Sequence, residues 1–231
     1  MRERYPLCKQ YLQAAVDTAN RSLMKKLLIL SPTIGTGLFA ILYFIATLYY
    51  PGGSQFDQNS IGFSWTNNYW CNLLNDEAIN GQPNTAQPIA LTAMLILCIA
   101  LTSFWLQFPK HTKLDKNYQL TIQVCGTVAM TIGFFLFTKF DHDLLINVAS
   151  LFGVFAIAGT LLGLRKNNWN ILFYFGLFNI LLVCINNLLY YNKDLIAYLP
   201  LVQKITFATF LLWTSCINIK TYVANNQRSP T

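Results

Sequence analysis

The residues in this chain best suited to chemistry are few, and they bracket long apolar runs: Asp141-His142-Asp143, Asn147, the adjacent Asn186 and Asn187, and Gln203-Lys204. Carboxylates beside an imidazole can orient it as a general base, and their negative charge should raise the proton affinity of His142. Residues four apart on a helix are neighbours and those five apart nearly so, which lets His142, Asp143 and Asn147 share one face. A lysine inside a membrane-length segment either snorkels to the interface or turns inward to a partner. The expectation for Lys204 is the inward position, paired with Asp141 or Asp143, because that pair would also satisfy a carboxylate.

Neither a metal nor a cofactor is expected. The chain has two histidines. His111 falls in a connection on the opposite side from His142, and one imidazole with carboxylates is a thin ligand set for zinc. The three-histidine set of ceramidase-type membrane hydrolases is absent, as are a rhomboid Gly-x-Ser-Gly and an Asp-x-x-Asp-Gly phosphotransfer motif. A hydrolase or transferase using His142 as general base, with Asp143 or Asp141 orienting it, would have only Ser150 or Cys71 as an evident nucleophile.

The elements that must position these groups follow from composition. With 54% hydrophobic and 11% charged residues, the chain is far from the roughly 25% charged of a soluble domain. Six apolar runs approach or exceed the roughly 20 residues a spanning helix needs, at 27–49, 89–108, 120–137, 144–164, 171–190 and 195–219. They are continuous rather than alternating, which excludes a transmembrane barrel and predicts an all-α, compact six-helix membrane bundle. Short connections at 109–118 and 165–169 make sequential helices antiparallel neighbours. Residues 24–222 are read as one transmembrane domain, flanked by an N-terminal segment, 1–23, and a tail, 223–231.

The formal charge of +7 does not point to nucleic acid, because the cations alternate with the connections rather than pooling. Of 16 Lys and Arg, only Lys139, Lys193 and Lys204 lie on one side; the rest fall at the termini and in the second and fourth connections. By the positive-inside rule both termini face the cytoplasm of a cell membrane and the 50–87 loop faces out. Four cysteines lie in apolar runs and Cys8 is on the inner side, so Cys71 alone is placed in the outer loop and no disulfide framework is available there.

Residues 1–23 read either as a short amphipathic helix on the inner surface or as an extension without a role of its own, with Leu7, Tyr11, Leu12, Ala15 and Val16 at helical spacing. Pro32 is expected in a first helical turn, where no backbone hydrogen bond is lost. Gly35-x-Gly37 and the small residues at 149, 153, 159 and 163 should let helices approach closely. In the outer loop, Pro51-Gly52-Gly53 ends the first span and Asn80-Gly81 marks a turn. Between them a short interfacial helix is expected around Trp70, Leu73 and Leu74, with Ser64 or Thr66 as N-cap.

The Asn-rich stretch 67–74, His142 at the outer start of span four, and Gln203-Lys204-Ile205 followed by Leu211-Leu212-Trp213 resemble a bacterial six-span integral membrane family of unknown function. That family is distantly similar to the DRAM-like proteins, the damage-regulated autophagy modulators. The resemblance covers the chain from about Met24 onward and implies the six-span topology and a lipid-facing or regulatory role rather than a known reaction. The chain departs from it at Cys71-Asn72-Leu73-Leu74, where Ser-Asp-Leu-Gly is usual, and at Lys204, where arginine is commoner.

The function expected from these residues is non-enzymatic: an outward-facing polar pocket for a lipid headgroup or a small polar solute. His142, Asp143, Asp141, Asn147, Asn186, Asn187 and Lys204 would supply its polar groups, and Trp65, Asn68 and Trp70 its lid. Membrane lipids are the expected partners. The competing readings are the His142 hydrolase, a structural subunit that docks a membrane protein through loop 50–87, and a small-solute transporter.

Overall fold

The computed structural model describes residues 5–135 and 142–228. They form six long helices: α1 (Tyr5–Leu48), α2 (Gln87–Gln107), α3 (Lys116–Phe135), α4 (His142–Lys166), α5 (Asn170–Tyr191) and α6 (Leu199–Arg228). No strand forms among the described residues, only isolated bridges at Gly52 with Ile61 and Glu77 with Pro83. All six helices contain a stretch long and apolar enough to cross a membrane, as in Lys26–Leu48 and Gln87–His111. The protein is therefore an all-α, multi-pass membrane protein, and its helices present large apolar side chains such as Ile41, Val154 and Leu181 outward, as lipid contact requires.

Sequential helices pack in order and α6 returns against α1. Among sequential pairs α4 and α5 touch least. In lipid, burying apolar area does not drive helices together, so close packing of small residues must do so. Ala86, Ala90, Ala93 and Ala100 are buried on the α2 face that meets α1, and a Cβ at Gly35 would lie 2.6 Å from that of Ala100. The same holds where α4 meets α3, since a Cβ at Gly159 would strike Ile122. Gly37 and Gly153 have open space instead, so not every small residue in the expected stripes is a contact.

Two expectations change. The N-terminal segment runs into α1 without a break, giving a helix of 44 residues, about 66 Å long at roughly 1.5 Å per residue. Its described side chains before the span, Gln13, Val16, Asp17, Asn20, Leu23 and Met24, are all exposed. Because the helix starts so early, Pro32 sits in its interior rather than in a first turn. An interior proline frees the carbonyl four residues before it. Here that carbonyl, of Leu28, accepts from Ser31 Oγ at 2.9 Å and from Gln107 Nε2 of α2 at 3.0 Å. One residue further, Ile29 O accepts from Asn218 Nδ2 of α6 at 2.8 Å, and Thr33 Oγ1 donates to Asn218 Oδ1 at 2.7 Å. The proline break has become a polar seam joining three helices.

Candidate functional site

The loop between α1 and α2 is folded by asparagines. Gly53 takes φ +80°, a conformation that disfavours side chains, and its N–H donates to Ser60 O at 2.7 Å. Its carbonyl accepts from the fully buried Asn68 Nδ2 at 2.8 Å, while Asn68 Oδ1 accepts the Ser64 N–H at 2.8 Å. Asn72 Oδ1 takes the Tyr69 N–H at 2.7 Å and so starts a 3-10 helix, Trp70–Leu74. Asn84 Nδ2 reaches the carbonyls of Asn72, Leu73 and Asn75 within 3.2 Å, and its Oδ1 accepts the Ala86 N–H at the head of α2. The short helix falls where Trp70 and Leu73 predict it. Ser64 closes the turn before it, accepting the Asn67 N–H, rather than capping the helix itself.

Below this loop lies an aromatic layer. Trp70 meets Tyr43 and Trp65 edge-on, with centroids 4.6 and 5.9 Å apart, and Phe207 of α6 at 6.1 Å. Tyr43 Oη donates to Trp70 O at 3.0 Å, tying α1 to the loop. Lys204 enters the layer from α6 and is buried, with 6% of its surface exposed. Its ammonium donates to Asn68 O and to Pro200 O, and it stands 5.5 Å from the Phe63 ring centroid. Lys204 thus turns inward as expected. Its partners among the described residues are two carbonyls and a π face rather than the expected carboxylate, which makes it a bolt between α6 and the loop.

Cys71 adjoins this layer. Part of its side chain reaches the surface, yet crowding desolvates the thiolate. That desolvation outweighs its own backbone N–H and the Lys204 ammonium, so the thiol is held above its usual range. An electropositive, well-solvated setting would have made it reactive; this one does the opposite.

Three cavities surround the N-terminal half of α6. A small one of about 150 Å³ lies under the lid, lined by Phe39, Tyr43, Trp70, Cys71, Gln203 and Phe207 among others. A second, of about 240 Å³, opens between α5 and α6 and is lined by Val183, Asn186, Asn187, Tyr190, Leu199, Gln203 and Thr206. The third, of about 450 Å³, runs deeper between α4, α5 and α6; Val154, Leu161, Ile180 and Phe210 line it, with Asn179 and Thr206 as polar side chains. The second and third share Val183 and Thr206. The first and second share Gln203.

Of the sequence-predicted site residues, Lys204, Asn68 and Trp70 come together, and Asn186 and Asn187 line the adjoining cleft. Trp65 packs on Trp70 at the partly exposed rim. Asn147 is exposed on α4 and lines none of these cavities. Asp141 lies outside the described residues, and of His142 and Asp143 only the backbone is described, as the first residues of α4. Among the described residues no three His, Cys, Asp or Glu side chains gather.

Gln203 joins the upper cavities; the sequence marks it beside Lys204 as a polar residue but does not place it among the pocket's polar groups. Its neighbour's charge drew attention, while a neutral amide in an apolar run was the signal. Three buried polar atoms here, Trp70 Nε1, Gln203 Oε1 and Asn186 Oδ1, have no hydrogen-bond partner among the described residues. Buried polar atoms are nearly always paired, so such a cluster marks a place of function or strain. No family model, curated protein or solved structure matches the chain.

Proposed function

We propose that this is a non-enzymatic membrane protein that holds a lipid at its loop end, the polar head among Asn186, Asn187, Tyr190 and Gln203 and the tail in the deeper cleft between α4, α5 and α6. The observation that carries the reading is the shared wall of the two cavities. A cleft lined by amides adjoins an apolar one of about 450 Å³, with Val183 and Thr206 lining both. A small polar solute would have no use for the apolar continuation, whereas an amphiphile matches both parts. In the proposed topology the loop end faces the outside of the cell membrane, which the alternation of basic connections supports. The lipid-facing role implied by the resemblance to DRAM-like proteins agrees with it.

The test is lipid retention by the full chain purified in nanodiscs, read by mass spectrometry. Val183→Trp should block the junction between the cavities and lower retention about tenfold, a difference of about 1.4 kcal/mol in affinity. Val183 is 49% exposed, so the fold should tolerate the change. Unchanged retention in both Val183→Trp and Asn186→Leu would overturn the reading. Binding of a water-soluble headgroup analogue that survives Val183→Trp would move the assignment to a small polar solute.

One observation favours a second reading, docking of a protein on the loop: its surface presents Ile61 at 98% exposure and Phe56 at 55%. Crosslinking from position 61 to a stoichiometric partner tests it.

A further inference from the structure

The opposite end of the bundle carries a larger groove, of about 650 Å³, between the start of α5 and the last third of α6. Ile171, Leu172, Cys216, Ile219 and Val223 give it apolar walls, and Trp169 and Lys220 close it. Its depth follows from helix geometry. Lys220 lies 21 residues after Leu199, the start of α6, a rise of about 31 Å at roughly 1.5 Å per residue. That equals the thickness of the hydrocarbon layer, about 30 Å, so with Leu199 at one boundary Lys220 reaches the other. Trp169, immediately before α5, belongs at the same level, where indole rings favour the headgroup region.

Charge then selects the occupant. The Lys220 ammonium is exposed and 5.9 Å from the Trp169 ring centroid. Arg165, also exposed, donates at 3.2 Å to the Oδ1 of Asn170, a residue of the groove lining, and lies 5.5 Å from the Phe173 centroid. Lys110, Lys113, Lys116 and Lys166 lie in or beside the connections at this end, where Asp115 is the one carboxylate of those connections and Asp17 stands further out along α1. An apolar groove at hydrocarbon depth, topped by exposed cations at headgroup depth, complements a molecule with apolar chains and an anionic head.

We infer that the groove between α5 and α6 is a binding site for an anionic phospholipid of the leaflet on the basic side. Lys220 and Arg165 meet the phosphate, and Ile171, Leu172 and Ile219 pack along an acyl chain. The site is separate from the loop-end cleft and does not depend on the lipid reading proposed there.

The experiment uses the full chain in phosphatidylcholine nanodiscs with phosphatidylglycerol added, counting retained lipids by native mass spectrometry. Wild type should retain phosphatidylglycerol in preference to phosphatidylcholine, and Lys220→Ala should lower that preference about fivefold, the worth of one cation near an anionic surface. Ile171 is 86% exposed, so Ile171→Glu keeps the fold while placing a carboxylate in the groove, and it should abolish the preference. Lys166→Ala, outside the groove lining, and Val183→Trp, at the loop end, should leave it unchanged. Inorganic phosphate, which has no chain to bury, should not compete. Equal retention of the two lipids by wild type would overturn the site. So would a Lys166→Ala loss as large as that of Lys220→Ala, which would mean diffuse surface attraction, or displacement by inorganic phosphate.

Discussion

The two ends of the bundle face the same physical problem, backbone carbonyls left unpaired beside hydrocarbon, and answer it with the same amide chemistry. At the loop end Asn68, Asn72 and Asn84 collect the carbonyls and N–H groups of an irregular 38-residue connection. At the other end Gln107 collects the Leu28 carbonyl that Pro32 frees, and Asn218 collects its neighbour, that of Ile29. The ends differ in what they do with positive charge. Lys204 is buried and its bonds go to protein carbonyls, while Lys220 stands exposed on a groove and Arg165 stands exposed beside it. The loop end therefore offers an outside molecule neutral amides, and the basic end offers it charge. A cation serves as structure or as a receptor according to whether the chain already supplies its acceptors.

The strongest test of this contrast is to remove one amide at each end. Asn84→Leu deletes a side chain that serves three carbonyls and one N–H, all shielded by the loop, and should cost about 3 kcal/mol or more. Asn218→Leu leaves one carbonyl and one hydroxyl unpaired and should cost about 2 kcal/mol. Thermal midpoints in a single detergent rank them. If Asn218→Leu proves the worse, the proline seam rather than the loop is the more tightly determined end.

These two residues also show what a sequence can reveal here. Six hydrocarbon-length runs and the placement of cations were plain, because length and charge are properties of local windows, and the all-α bundle follows from them. The asparagines of the loop were conspicuous as a cluster. Asn218 was not, since its role depends on where α1 begins: a helix starting at Tyr5 instead of the mid-twenties turns Pro32 from a harmless first-turn residue into an interior break. The described partners of Lys204 were hidden from the sequence for a related reason. A buried ammonium wants oxygen, and the sequence displays carboxylates but hides backbone carbonyls, which become acceptors only once Asn68 has folded its loop over α6. The cavities around Gln203 were beyond reach, being set by how α6 packs against α5 and the folded loop.

The next effect concerns the bolt itself. Lys204→Met keeps the apolar stem and removes the ammonium, so two carbonyls lose charge-assisted bonds while the cost of burying a cation also disappears. The net loss should be about 1–2 kcal/mol, smaller than that of Asn84→Leu. Its signature is local: hydrogen exchange should rise over residues 64–74 and stay unchanged near Trp169. Exchange that rises equally at both ends would mean that Lys204 supports the whole bundle and not the lid alone.

A smaller effect is a rate. With its thiol held above the ordinary range by desolvation, Cys71 forms less thiolate at neutral pH than a free cysteine would. The midpoint of its alkylation profile should therefore lie above about 8.5, and the reaction should stay slow until the pH rises through that raised value. A midpoint below the free-thiol value would mean that the Lys204 ammonium dominates over crowding, and the loop end would then have an electrostatic function after all.

The smallest expected change decides whether the contrast between the ends is one of function. Lys220 is exposed, and its described contact is a ring face at 5.9 Å, near the limit at which a cation–π interaction counts. Lys220→Met should thus alter the thermal midpoint in a neutral detergent by no more than about 0.5 kcal/mol equivalent, as exposed substitutions generally do. A residue that contributes so little to the fold, yet stands at headgroup depth over an apolar groove, has its acceptor outside the chain. The same variant in anionic nanodiscs should lose the stabilisation that wild type gains from the lipid, so the gap between the two proteins opens only when that lipid is present. A gap of equal size in both media would place Lys220 beside Lys204, as a cation the fold already uses.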